Sequence, residues 1–142
     1  MERTVFYDSE LDIIIAMLKG KVTLDGLRLL ADDVLPIVAT HGCLLLLSDV
    51  REVTTIELSL VDIFAIPKTL CDNFYSRGFQ PFKVKRAVVV SNWSPVFSFF
   101  ENVFNNRMMR TKVFVDTVSA KDWLLSQRNH DLEGAEILPF EL

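Results

Sequence analysis

A chain of 142 residues, half of them hydrophobic and 11 of them phenylalanine, can build one domain with its own core and is not disordered. Its formal net charge of −4 makes it a poor nucleic-acid binder, because phosphate neutralisation dominates that affinity. No apolar run approaches the about 20 residues of a membrane span, and Glu2, Arg3 and Asp8 stand where a secretion signal would be apolar, so a soluble, cytoplasmic protein is expected.

The first strand is predicted over 4–8 and a longer one over 10–19, joined by a tight turn at Asp8-Ser9 and ended by Gly20. Thr23 is a natural N-cap for a helix whose apolar positions Leu27, Leu30, Ala31, Val34 and Val38 follow helical spacing. Pro36 should bend it and Gly42 should stop it. CLLLLSDV (43–50) is apolar on both faces, the pattern of a buried central strand. Ser59 and Asp62 open a second helix, 60–76, which Pro67 interrupts and Gly78 closes. KRAVVVS (85–91) reads as a strand, and Ser94-Pro95 as the start of a Phe-rich helix over 95–106. A strand over 111–116 and a helix from Thr117 or Val118, carrying Trp123 and Leu124, complete the pattern.

The order ββαβαβαβα demands parallel pairing of the later strands through right-handed crossovers, with the first strand antiparallel at the side. The expected fold class is therefore α/β: a five-stranded mixed, mostly parallel sheet with about four helices. One domain should span 1–130, followed by an acidic tail over 131–142.

Charge is unevenly spread. Residues 1–76 carry a net −6, residues 77–130 a net +6, and the tail a net −4. Lys83, Lys85, Arg86, Arg107, Arg110 and Lys112 flank the last two strands, either as solvated strand ends or as a basic surface for an acidic partner. The two cysteines, Cys43 and Cys71, form no disulfide framework and are expected as buried thiols.

Catalytic and cofactor motifs are missing. The five glycines make no phosphate loop, and His41-Gly42-Cys43 is the only close His/Cys pair, short of the about four ligands of a structural zinc site. We therefore expect no catalytic residue, no metal and no cofactor. The notable stretch is LLLLSDVREVTTIELS, where an apolar strand empties into Asp49, Arg51, Thr54, Thr55, Glu57 and Ser59. Asp49 is placed at a strand's carboxyl end, where α/β sheets open a crevice, and serves either as an acceptor paired with Arg51 or as a partner or ligand contact. Ser59 is either a cap or a switch. Phe97, Phe99, Phe100 and Phe104 fill a broad apolar arc of the third helix, as core, as an apolar pocket or as a dimer face.

LLLLSDVREV, Ser59-Leu60-Val61-Asp62 with Pro67, KRAVVVS and VFVDTVSAKDWL together resemble the small bacterial STAS-type proteins. These are SpoIIAA-like relatives of the sporulation anti-sigma-factor antagonist, often grouped with lipid-binding Sec14-like folds. The most suggestive pieces are Asp49, Arg51 and Glu52 at the strand end, and Phe114, Asp116, Ala120, Trp123 and Leu124 near the last helix. The resemblance implies a βα superhelix with helices mostly on one side of the sheet. It also implies a partner-read loop after the third strand, which in the antagonists holds a phosphorylated serine. Here the glycine of that turn has no counterpart, and Glu57 stands near the phosphoserine position, where a fixed carboxylate suits a helix start.

Two functions follow. The first is a non-enzymatic regulatory or protein-interaction module that binds a partner through that loop and the following helix. The second is a carrier or sensor of a small hydrophobic, lipid-like ligand. A homodimer is expected as well, with the third helix and the acidic tail against a neighbour's basic segment.

Overall fold

The computed structural model describes residues 1–106 and 109–137, with side chains through 105 and over 109–128. Strand β1 (Glu2–Asp8) turns back into β2 (Ile13–Thr23), and α1 (Leu24–His41) leads to β3 (Leu45–Glu57). Helix α2 (Leu60–Ser76) and a single 3-10 turn (Pro81–Lys83) lead to β4 (Lys85–Val89). Helix α3 (Pro95–Asn106), β5 (Arg110–Phe114) and α4 (Thr117–Ile137) follow. The sheet order is β1-β2-β3-β4-β5, with β1 antiparallel to β2 and every other pair parallel. This is the expected five-stranded mixed sheet.

Because each crossover advances to the next strand in the same direction, right-handedness puts α1, α2 and α3 on one face. The register aligns Ile14, Leu46, Arg86 and Thr111 across that face, while Ile15, Leu47, Ala87 and Lys112 align across the other. Helix α4 returns over the second face, where its Ala120 and Leu124 are buried in the core with Leu47, Ala87 and Val89. One apolar layer thus lies on each side of the sheet.

Local chemistry sets the boundaries. Thr23 Oγ1 accepts the Gly26 N–H at 3.0 Å, and Gly42 ends α1 in the left-handed region with its N–H on the Val38 carbonyl. The helix runs on through Pro36. Ser59 and Asp62 form a reciprocal capping box, each side chain accepting the other's N–H at 3.1 Å. The Asp116 carboxylate accepts the Ser119 N–H at 2.7 Å and so caps α4 instead of ending a strand. That bond holds its carboxyl below the usual range.

Three expectations change. Residues 10–12 belong to the turn, not to β2: the Asp8 carboxylate accepts the N–H groups of Glu10 and Leu11, and Asp12 takes a φ of 56°. Gly20 does not end β2. At a φ of 86° it sits at a register shift and lets the strand continue to Thr23. The third strand does not stop at 50 either, because β2 accompanies it as far as Glu57. Residues 131–137 continue the backbone of α4, and the rest of the expected acidic tail lies outside the described residues.

Candidate functional site: an apolar cavity with one inward-facing arginine

The long β3 separates the polar residues that the sequence runs together. Strand β4 accompanies β3 only to Asp49, and beyond it β2 and β3 continue as a two-stranded ribbon. At about 3.3 Å per residue, Asp49 and Glu57 lie about 26 Å apart along that ribbon. Asp49 is therefore not at the end of its strand. Arg51 grips it through Nε at 3.0 Å and Nη2 at 2.8 Å, and also donates its backbone N–H at 3.1 Å. The guanidinium holds the Asp49 carboxyl below the usual carboxylate range. Thr54 and Thr55 are exposed strand residues, not turn residues. Glu57 pairs with Lys21 of β2 at 3.1 Å at the surface, and Ser59 is spent on the α2 cap. These six side chains do not converge on one point.

The space that does exist lies on the three-helix face. A half-open cavity of about 460 Å³ lies between the sheet and helices α1 and α2, with Phe100 of α3 at one end. Its floor is Ile14 and Ala16 of β2, Leu46 and Ser48 of β3, and Arg86 of β4. Leucines at 24, 27, 30 and 35 line the α1 side, and Ile66, Leu70 and Phe74 the α2 side. Arg28 and Asp32 on α1 and Ala65 and Thr69 on α2 are exposed, so the mouth opens between these two helices. Such a volume, mostly apolar with a few polar groups, falls in the range of small-molecule sites.

Arg86 is the distinctive group. Its Nε donates to Ser48 Oγ at 3.3 Å, and its guanidinium carbon lies 5.0 Å from the Phe104 ring centre and 5.5 Å from that of Phe100. Among the described residues no carboxylate pairs with it. Burial pushes the guanidinium down to about 10. A cation kept in an apolar wall by two ring faces and one hydroxyl still has donors to spare.

Of the six basic residues expected as solvated strand ends or as a basic surface, Lys83, Arg110 and Lys112 are exposed, whereas Lys85 and Arg86 are not. Arg86 turns inward, and Lys85 is buried with Nζ donating to the Phe82 carbonyl at 2.7 Å. Lys112 lies over the Phe114 ring at 5.6 Å, and Arg107 lies outside the described residues. Of the four phenylalanines, Phe100 lines the cavity and Phe104 is buried in the core behind Arg86. Phe99 meets Phe64 of α2 edge to face at 5.5 Å, and Phe97 is half-buried. Arg86 alternates with Lys85 and Ala87 in the sequence, a signal that it faces away from them, but nothing local marks that side as a cavity.

The His/Cys neighbours build no nucleophile. His41 stacks on Tyr7 with ring centres 3.7 Å apart, while the Cys43 thiol donates to the Asp12 carbonyl at 3.2 Å. Burial pushes that thiol up, away from the reactive thiolate. Cys71 is half-buried and not in a disulfide. Among the described residues, no three His, Cys, Asp or Glu stand together as a metal site, and no helix is long and apolar enough to cross a membrane.

The arrangement is that of a SpoIIAA-like fold. A protein of the DUF3478 family with a SpoIIAA-like fold from Shewanella loihica matches 87% of this chain over 92% of its own, with a TM-score of 0.55 and 15% identity. No family model matches the sequence, and neither does any curated protein.

Proposed function

We propose that this protein is a non-enzymatic binding module that takes a small hydrophobic ligand between the sheet and helices α1 and α2. The observation that carries this reading is the half-open cavity of about 460 Å³, lined mostly by apolar side chains and open between two helices. A core closed only for stability is packed with few voids larger than a water molecule, and one of this size costs stability unless something occupies it. Of the two functions expected from the sequence, the geometry therefore favours the ligand carrier or sensor. The test is binding of a neutral solvatochromic dye such as Nile red, with native mass spectrometry of the purified protein for a retained ligand. Ala16→Phe, which fills the floor, should abolish dye binding while the protein stays folded; unchanged binding would place the dye elsewhere.

The exposed start of α2 favours a second reading, contact with another protein. Leu60, Val61 and Phe64 are 66%, 76% and 55% exposed, and Trp93 before α3 is 57% exposed. Apolar side chains grouped in this way mark interaction surfaces. Leu60, Val61 and Phe64 directly follow the ribbon bearing Thr54, Thr55 and Glu57, so a partner seated there would touch both. A second copy of the chain is the simplest such partner.

A further inference from the structure

We propose that the cavity selects an aliphatic monocarboxylate, with the carboxylate on Arg86 and the hydrocarbon chain among the leucines of α1. The inference rests on the cavity being a ligand site and adds which chemistry it accepts.

Three observations carry it. First, Arg86 is a cation in the cavity wall with no carboxylate partner among the described residues, and taking a charge out of water is costly unless it is paired. Nothing in the fold needs a cation there, since hydrophobic residues would pack against Phe100 and Phe104 as well. Second, Ser48 occupies Nε, which leaves the two terminal nitrogens to make the planar, two-bond fork that arginine forms with a carboxylate. Ser48 and the two rings fix the guanidinium plane before any ligand arrives, so little ordering remains to be done on binding. Third, the remaining wall is mostly apolar, with leucines, isoleucines and a valine prominent, which suits a flexible hydrocarbon chain. Arg28, Asp32 and Thr69 among its polar groups are exposed, with Ser48 and Asn73 the others. One cation balances one negative charge. A phosphomonoester, close to doubly charged at neutral pH, would bring a second charge beside Arg86. The other cation of the lining, Arg28, is exposed and already paired with Asp25 at 3.3 Å, while Asp32 at the mouth would repel that charge. Burial has already pushed the guanidinium down to about 10, so an anion there relieves a cost present in the empty protein.

The experiment is displacement of Nile red from the full chain at pH 8 by decanoate, decanol and decyl phosphate, in the unsubstituted protein, Arg86→Lys and Arg86→Leu. Decanoate should displace the dye at about tenfold lower concentration than decanol, the effect of one charge-assisted fork. Arg86→Lys should keep part of that preference and Arg86→Leu should erase it while still binding decanol. Equal displacement by decanoate and decanol in the unsubstituted protein overturns the proposal and leaves the cavity reading standing. Tighter displacement by decyl phosphate overturns the choice of head group. If the dye does not bind at all, the cavity reading falls and this proposal with it. Should Arg86→Leu not fold, the head-group comparison in the unsubstituted protein decides the matter alone.

Discussion

The side-chain amide of Asn105 pairs with both backbone groups of Thr111, its Oδ1 accepting the Thr111 N–H at 2.8 Å and its Nδ2 donating to the Thr111 carbonyl at 3.2 Å. One turn earlier on the same helix, Glu101 accepts the Val113 N–H at 2.6 Å. Helix α3 therefore supplies side chains where a sixth strand would supply backbone, and closes the free edge of β5.

If so, Asn105→Ala should leave that edge unpaired. It is expected to lower stability by about 1 kcal/mol, the usual worth of such bonds. Urea unfolding measures the loss, and sedimentation should show new concentration-dependent association. A variant as stable and as monodisperse as the parent would show that the edge needs no cover.

Ser59→Ala removes one half of the α2 capping box. A loss of about 1 kcal/mol is expected, with Ser59→Asp retaining most of the stability because a carboxylate also caps. Neither change should alter dye binding in the cavity, which Ser59 does not line. Lost dye binding in a folded Ser59→Ala protein would tie the hydroxyl to ligand uptake.

Tyr7 should titrate far above an ordinary tyrosine. The Asp12 carboxylate accepts its hydroxyl proton at 2.6 Å, and that bond pushes the phenol up to about 12. Because the folded value is raised, the stabilisation is complete below the unfolded value of about 10 and disappears as pH rises through the folded one. Ultraviolet titration of the two tyrosines should show one late step, absent in Tyr7→Phe and shifted down in Asp12→Asn. A Tyr7 step near 10 would mean that the bond does not persist in solution.

At the acid end the sign reverses. The folded carboxyl of Asp49 is held low by Arg51, so its contribution is present above the unfolded value of about 3.9 and is lost as pH falls through the folded one. Acid unfolding followed by circular dichroism should be shallower in Asp49→Asn below about pH 4. An identical acid limb would make the Asp49–Arg51 pair irrelevant to stability.

Self-association through the start of α2 is tested by sedimentation at low micromolar concentration. The full chain should run as a dimer, and Val61→Asp, which puts a charge in the exposed apolar patch, should run as a monomer. A full chain that is monomeric at every accessible concentration excludes the second copy as the partner.

The order of elements and their parallel pairing were legible in the residues. Thr23, Ser59 and Ser94-Pro95 mark helix starts because their caps act within a few residues, and the apolar runs of β2 and β3 announce a sheet covered on both sides. Such signals are local, and local energetics decide them. The resemblance drawn from LLLLSDVREV and VFVDTVSAKDWL pointed to the same fold. The length of β3 was not legible, since Thr54 and Thr55 suit a turn as well as a strand and only the pairing of Val53 with Gly20 and of Thr55 with Lys21 in β2 keeps them extended. The inward direction of Arg86 was equally hidden. Its sequence neighbours are Lys85 and Ala87, but its environment is Ser48, Phe100 and Phe104, brought together by strand register and by the crossover of α3. A lone cation in a basic stretch reads as solvated until tertiary packing puts two aromatic rings and a cavity around it.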